Sequence, residues 1–396
     1  MLCFSNSGIS DDAKGDGRVK KLNLILLLFP VVFLLITGCS NQQGLEEKTE
    51  ENRFWDEKEY LIMSSLTESN HGIYGIEWGE EYTPIFFVDK KTGKRAVLCQ
   101  KVNCRHDSEK CPAVEPGIMG AMAYSDGMIY FVVQKFEDDE QKLELYSMEE
   151  DGSGKKRLHT FKHAQIFPNQ AGLYKGKIVL SVQTQKELED GSGLTTAEPS
   201  IVMYDLKTKK ETLLLNGAEN EGKYTDPCGG SGNGIYLLQI PWEETEQRQE
   251  QECNYLRYDF ETEKISEVYK TKVSDMQIIK NDTLYLLQKE KKQLESYDIK
   301  TQEKKIVLEW QDDTDAVWAR EDHVEFRKEV EEGGEKITYC KWYDLEEEKY
   351  LFDEYQDLNK IKVKDKMENG YWIYREGEPY FYHLEDKSWQ KIEEIK

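Results

Sequence analysis

The stretch MYDLKTKKETLLL at 203–215 recurs in altered form along most of the chain, and no other feature limits the possible folds so sharply. Its relatives are FVDKKTGKRAVL (87–98), SMEEDGSGKKRL (147–158), RYDFETEKISEVY (257–269), SYDIKTQEKKIVL (296–308), WYDLEEEKYLF (342–352) and the degenerate YHLEDKSWQKI (382–392). Aligned on Asp89, Glu149, Asp205, Asp259, Asp298, Asp344 and His383, the copies are spaced by 60, 56, 54, 39, 46 and 39 residues. The short intervals match one four-stranded propeller blade of ~40–50 residues, and the long ones require inserted loops.

A second element precedes each copy: NHGIYGI, SDGMIYFVV, KGKIVLSV, GNGIYLLQI, NDTLYLLQ, EDHVEFRK and ENGYWIYR. Each is a polar turn leading into alternating aromatic and β-branched residues, the mark of a strand that leaves a tight hairpin. Every unit therefore holds two hairpins, and no long apolar stripe of helical period is present. The expected fold is all-β: a seven-bladed β-propeller of four-stranded antiparallel blades over residues 55–396, a design that leaves only short sheet edges. A pair of β-sandwiches or a β-helix would lack the blade-like period.

The N-terminus carries an address. Lys20 and Lys21 precede the apolar run LILLLFPVVFLLI (24–36), which leads directly into TGCS. That order of charge, short apolar core and small residues is an export signal, and the run is shorter than the ~20 residues of a spanning helix. Ile36-Thr37-Gly38-Cys39 resembles the lipobox of bacterial lipoproteins. The resemblance implies a signal peptide over 1–38, lipid on Cys39 and membrane lipid as a partner; cleavage by an ordinary signal peptidase near Gly38 is the alternative. The polar segment before Lys20 is unlike a signal n-region, so Val19 is a candidate true start. Residues 39–54 read as an acidic tether.

Acidity excludes one function class. The formal charge is −24, and removing 1–38 (four cationic, three anionic residues) makes it −25. Such a chain repels phosphate backbones, so nucleic acid is not an expected partner.

The hairpin LYSMEEDGSGKKRL (145–158) resembles the repeat of TolB-like and low-density-lipoprotein-receptor-related propeller domains found in Gram-positive surface lipoproteins. VDKKTGKRAVLCQKVNCRHDSEKC resembles a shared feature of one such lipoprotein group. These resemblances imply a cell-membrane location, lipid-anchored on the extracytoplasmic face, and no defined activity.

In such blades the A–B and C–D turns share one face, while the B–C loops and D–A links share the other. The short connections fall on the first face and the long ones on the second: ELEDGSGLTTAEPS, PWEETEQRQEQ, CQKVNCRHDSEKCPAVEPGIMG and NGAENEGKYTDPCGG. Loops carry function more often than scaffold, so the long-looped face is the expected binding surface. Trp78 and Trp242 are its candidate ligand contacts: they could stack on a sugar, or simply cap a blade. GGSGNG (229–234) lacks the ending of a phosphate loop, and EEDGSG (149–154) lacks the later ligands of a calcium loop. No G-x-S-x-G, H-E-x-x-H or C-x-x-C is present, and the histidines are scattered, so no catalytic residue is nominated.

Cys99, Cys104, His106 and Cys111 form the densest cluster of chemistry-bearing residues. Cys3His is a set that tetrahedral zinc accepts, a disulfide is equally natural outside the cell, and unlinked thiols are the third possibility. The expected function is a non-catalytic binding or sensing module for an envelope protein or glycan. The alternative is an envelope polysaccharide hydrolase or lyase using carboxylates on the propeller face. A close carboxylate pair with opposed pKa shifts would favour the enzyme.

Overall fold

A computed structural model describes residues 60–395, apart from 78–81, 109, 116–117, 138–139, 163–164, 184, 188–193, 197–198, 218–221, 242–250, 273–276, 312–313 and 321. The signal segment, Cys39, the tether, Trp78 and Trp242 lie outside the described residues.

The chain is a seven-bladed β-propeller, each blade an antiparallel four-stranded sheet cut from one contiguous stretch. Strands A to D of blade 1 are Leu66–Glu68, Gly72–Ile76, Thr83–Asp89 and Lys94–Val97. Blade 2 has Ile118–Ser125, Met128–Glu137, Glu140–Glu149 and Lys156–Thr160, and blade 3 has Gln165–Tyr174, Lys177–Gln183, Ser200–Asp205 and Lys210–Leu215. Blade 4 follows with Lys223–Ser231, Gly234–Pro241, Glu252–Asp259 and Lys264–Lys272, and blade 5 with Gln277–Lys280, Thr283–Gln288, Gln293–Asp298 and Lys304–Glu309. Blade 6 contains Ala316–Ala319, His323–Glu332, Glu335–Asp344 and Lys349–Tyr350; blade 7 contains Ile361–Met367, Gly370–Arg375, Glu378–His383 and Trp389–Lys391.

The repeated aspartate has a physical role. Its carboxylate accepts two backbone N–H bonds across the C–D turn: at Asp205 from Lys207 (2.9 Å) and Thr208 (2.8 Å), at Asp298 from Lys300 (2.9 Å) and Thr301 (2.7 Å). Asp89, Asp259 and Asp344 do the same in their blades. Such Asx turns let the chain reverse with one residue in the left-handed region, found four positions on at Gly93, Lys209, Glu263, Gln302 and Glu348. The A–B hairpins use Asp126-Gly127 and Lys175-Gly176, all at positive φ, whose twist matches that of the strands.

The aromatic half of the motif builds the seams between blades. Among the described residues, seven apolar clusters fill seven seams, with Tyr204 between blades 2 and 3, Tyr258 between 3 and 4, Tyr343 between 5 and 6 and Tyr382 between 6 and 7. The ring closes between blades 7 and 1, where Trp372, Phe381 and Ile392 pack on Leu66, Phe86 and Val88. Glu393 and Glu394 then run parallel to Lys94 and Arg95 along the outer edge of blade 1, covering a strand edge that would otherwise be open.

A short strand outside the repeat lies against the inner strands. Leu61 and Ile62 pair with Leu173 and Gly172 on the innermost strand of blade 3, and Ser64 bridges Met122 on that of blade 2. The chain thus enters beside the A–B turns, runs inward along the channel and turns back into blade 1. Glycine at 172 is required, because a Cβ there would sit 2.0 Å from the Tyr60 hydroxyl. Gly172→Val is expected to strip hydrogen-exchange protection from the amides of 61–63 while the blades keep theirs. Unchanged protection at 61–63 would show that the pairing is not made.

The link read as NGAENEGKYTDPCGG is shorter than its composition suggests. Lys223–Ser231 is strand A of blade 4, so Cys228 lies on an inner strand and not on a long link. Gly229 and Gly230 look like loop residues but sit in that strand because Ile279 and the Tyr174 ring, 2.3 and 2.9 Å from the would-be Cβ atoms, leave no room for side chains.

Candidate functional site

The inner strands enclose a cavity of about 1320 Å³. Its wall is drawn from A–B turns and the strand ends beside them: Ser69 and Asn70 of blade 1, Asp126 and Gly127 of blade 2, Asn281 of blade 5, Arg320 and Asp322 of blade 6, and Glu368 of blade 7. Ile62, Ser64 and Ser65 of the inward-running segment line it as well. The mouth therefore lies on the face of short turns, opposite the long connections that loop length alone would select.

Its chemistry is concentrated at blades 6 and 7. His323, 4% exposed, places Nδ1 2.5 Å from Asp322 Oδ1 and Nε2 3.6 Å from Glu325 Oε1. Burial works against its charge, but Asp322 and Glu325 prevail and raise its pKa from 6.5 to about 9, so the ring is an imidazolium at neutral pH. Burial also opposes charge on Glu325. Hydrogen bonds from His323 and Arg327 and the charge of Arg320 nevertheless hold its carboxyl down at about 2. The Arg327 guanidinium is 2.8 Å away and Arg320 Nε 3.7 Å.

Asp365, on strand A of blade 7, also lines the cavity. Among the described residues, nothing hydrogen-bonds its buried Oδ2. Burial pushes this carboxyl up to about 6, Asp322 adds to the rise, and Lys364 and His323 oppose it. Lys366 beside it is bound by Asp344 at 2.8 Å and Glu346 at 2.9 Å, and Glu346 also takes Lys280 of blade 5 at 3.0 Å. Three blades are thus cross-tied at the rim. The arrangement presents fixed charges of both signs and one carboxyl that exchanges a proton near neutral pH.

The cysteine cluster is a second, separate feature. The chain leaves the outer edge of blade 1 at Leu98, whose N–H reaches Ile85 O at 2.9 Å, and rejoins it at Ala113, whose carbonyl accepts Ile85 N–H at 2.7 Å. Residues 99–112 are an excursion from that edge, and the cluster sits within it. The ligand atoms of Cys99, Cys104, His106 and Cys111 all lie within 4.8 Å of one another, with His106 Nδ1 3.3 Å from Cys111 Sγ. Asn103 and His106 take positive φ (59° and 57°), uncommon for residues with a side chain and less so for Asn and His. Burial pushes the Cys111 thiol up to about 12, whereas a backbone hydrogen bond from His106 lowers that of Cys104. All six described cysteines are unbonded, so the structure joins none of them in a disulfide.

Past the excursion, Glu115 is 2% exposed and receives Lys155 at 2.7 Å and Lys135 at 3.5 Å. Lys135 continues to Glu144 at 3.3 Å, which also takes the Tyr146 hydroxyl at 2.6 Å and Arg157 at 2.5 Å. This network fastens the link to strands B, C and D of blade 2. Sequence reasoning found the four cluster residues but not Glu115, nor His323, Glu325 and Asp365 as a group. They lie on ordinary strands of two blades, and only an aspartate or histidine facing the axis on an inner strand would have been a signal.

No protein-family model matches the chain, and no curated protein matches it. Solved structures share its fold at low identity. A prolyl endopeptidase aligns with a TM-score of 0.52 and 10% identity, covering 95% of this chain and 55% of that one. An oligogalacturonate lyase in complex with manganese has a TM-score of 0.43 and 8% identity over 69% of this chain and 74% of its own. TolB from Acinetobacter baumannii has 0.36 and 11% over 74% and 62%. The chain spans about half of the endopeptidase's length. At these identities the likeness concerns the propeller fold alone.

Proposed function

We propose that this chain is a lipid-anchored, extracytoplasmic, non-catalytic binding or sensing module that receives an envelope protein segment or glycan at its cavity mouth. The observation that carries the reading is the polar cavity of about 1320 Å³, larger than the ~300–1,000 Å³ of ordinary small-molecule pockets. Anchoring rests on the lipobox at Cys39. Twenty-one residue steps separate Cys39 from Tyr60; by extended-chain geometry that is a reach of at most about 75 Å.

One observation favours a second reading, an envelope polysaccharide hydrolase or lyase. Asp365 at about 6 and Glu325 at about 2 are carboxyls of opposed shift in one cavity. Against it, Glu325 is held by His323, Arg320 and Arg327 and has no freedom to act as base or nucleophile. A glycan array followed by product analysis on each hit distinguishes the two. Binding without turnover is the expected result, and silence on every glycan assigns the mouth to a protein segment. Release of shorter saccharides, abolished by Asp365→Asn, would establish the enzyme instead.

A further inference from the structure

We propose that Cys99, Cys104, His106 and Cys111 bind one zinc ion that pins the 99–112 excursion to the seam between blades 1 and 2. Tetrahedral zinc holds sulfur at ~2.3 Å and imidazole nitrogen at ~2.0–2.1 Å, which sets ligand atoms ~3.4–3.8 Å apart. Four ligand atoms already within 4.8 Å of one another, one pair at 3.3 Å, need shifts of an ångström or less to reach that geometry. Among the described residues no fifth protein ligand is offered by the cluster, and a closed four-ligand set is that of structural rather than catalytic zinc.

The surroundings suit the ion. Three thiolates, a neutral imidazole and Zn²⁺ sum to one negative charge. The Lys101 N–H points at Cys99 Sγ from 3.4 Å, and its ammonium bonds the Lys110 carbonyl, so a cation sits across the loop. Cys111, 1% exposed, is packed with Ala113, Val114 and Leu98, while Cys99 and Cys104 rest partly on the same apolar cluster. That apolar floor buries Cys111 and leaves Cys99, Cys104 and His106 only partly covered. The staple would close a neck in the edge of blade 1, its last ligand Cys111 three residues ahead of Val114, which with Glu115 rejoins strand C of that blade and holds blade 2.

Metal analysis of the full chain, purified without reductant or chelator, is expected to find one zinc per chain. Stripped protein is expected to take up one equivalent of Co²⁺ with the thiolate charge-transfer absorption of a tetrahedral sulfur site. Cys104→Ser and His106→Ala should each weaken zinc binding at least about tenfold, and Cys228→Ser should leave it unchanged. Circular dichroism of each variant separates ligand loss from failure to fold. If a variant unfolds, the stripping and Co²⁺ titration of the unaltered chain decide the matter. A metal-free protein that takes up no Co²⁺, a disulfide mapped among the three cysteines, or full zinc retention in the folded Cys104→Ser and His106→Ala variants would overturn the assignment.

Discussion

His323→Gln is expected to lower stability by about 3 kcal/mol below about pH 6.5, and to leave it nearly unchanged above about pH 9. The folded imidazolium keeps its proton to about 9, whereas the unfolded chain releases it near 6.5. Between those values the native state binds more protons, so stability falls as pH rises. The contribution is fully present below the unfolded pKa and is lost through the folded one. The gap between 6.5 and about 9, at ~1.36 kcal/mol for each step of one in pKa, sets the magnitude. The low pKa of Glu325 describes the same contact from the other partner, and the two are not added. Chemical denaturation at several pH values tests this. Parallel curves for the two proteins between pH 6.5 and 9 would show that His323 does not hold its proton in the fold.

Glu115→Ala carries the second large effect, a loss of about 3 kcal/mol. Glu115 is 2% exposed and stands between Lys155 and Lys135. Its removal leaves two half-buried ammonium groups, of which, among the described residues, only Lys135 keeps an anion, Glu144. Uncompensated buried charge is what makes breaking such a network costly, more than any attraction within it. A partner nearer solvent should matter less: Lys155→Met, which leaves Glu115 with Lys135, is expected to cost about 1 kcal/mol. Equal losses for the two variants in urea unfolding would assign the effect to packing alone.

The propeller was readable because its repeat is made of local chemistry. An aspartate that caps a turn through N–H groups two and three residues on must keep that spacing, and the tyrosine before it must face a seam. Both signals survive in Asp205, Asp259, Asp298 and Asp344 whatever the loops between them do. The Cys3His cluster was legible as a set of residues, but its convergence to within 4.8 Å was not, because it depends on how the excursion from blade 1 folds back on itself.

What stayed hidden depends on contacts far apart in sequence. Leu61 and Ile62 pair with Leu173 and Gly172 across more than a hundred residues, with no repeat to announce it. That inward-running segment lines the channel and helps decide where the cavity lies. Connection length therefore pointed to the long-looped face and to Trp78 and Trp242, whereas the described cavity opens among the short A–B turns. His323 was one histidine among several. Its significance comes from Asp322, Glu325 and the neighbouring blade's Asp365, and burial is what turns them into a site.

A partner is expected to be received at the cavity mouth and not on the long-looped face. Photoreactive residues introduced singly at the exposed rim position Lys364 and at Trp242, in cells carrying the full chain, test it whatever the ligand is. A specific protein or glycan adduct from position 364 and none from position 242 is the predicted result. An adduct from position 242 and none from position 364 would contradict it.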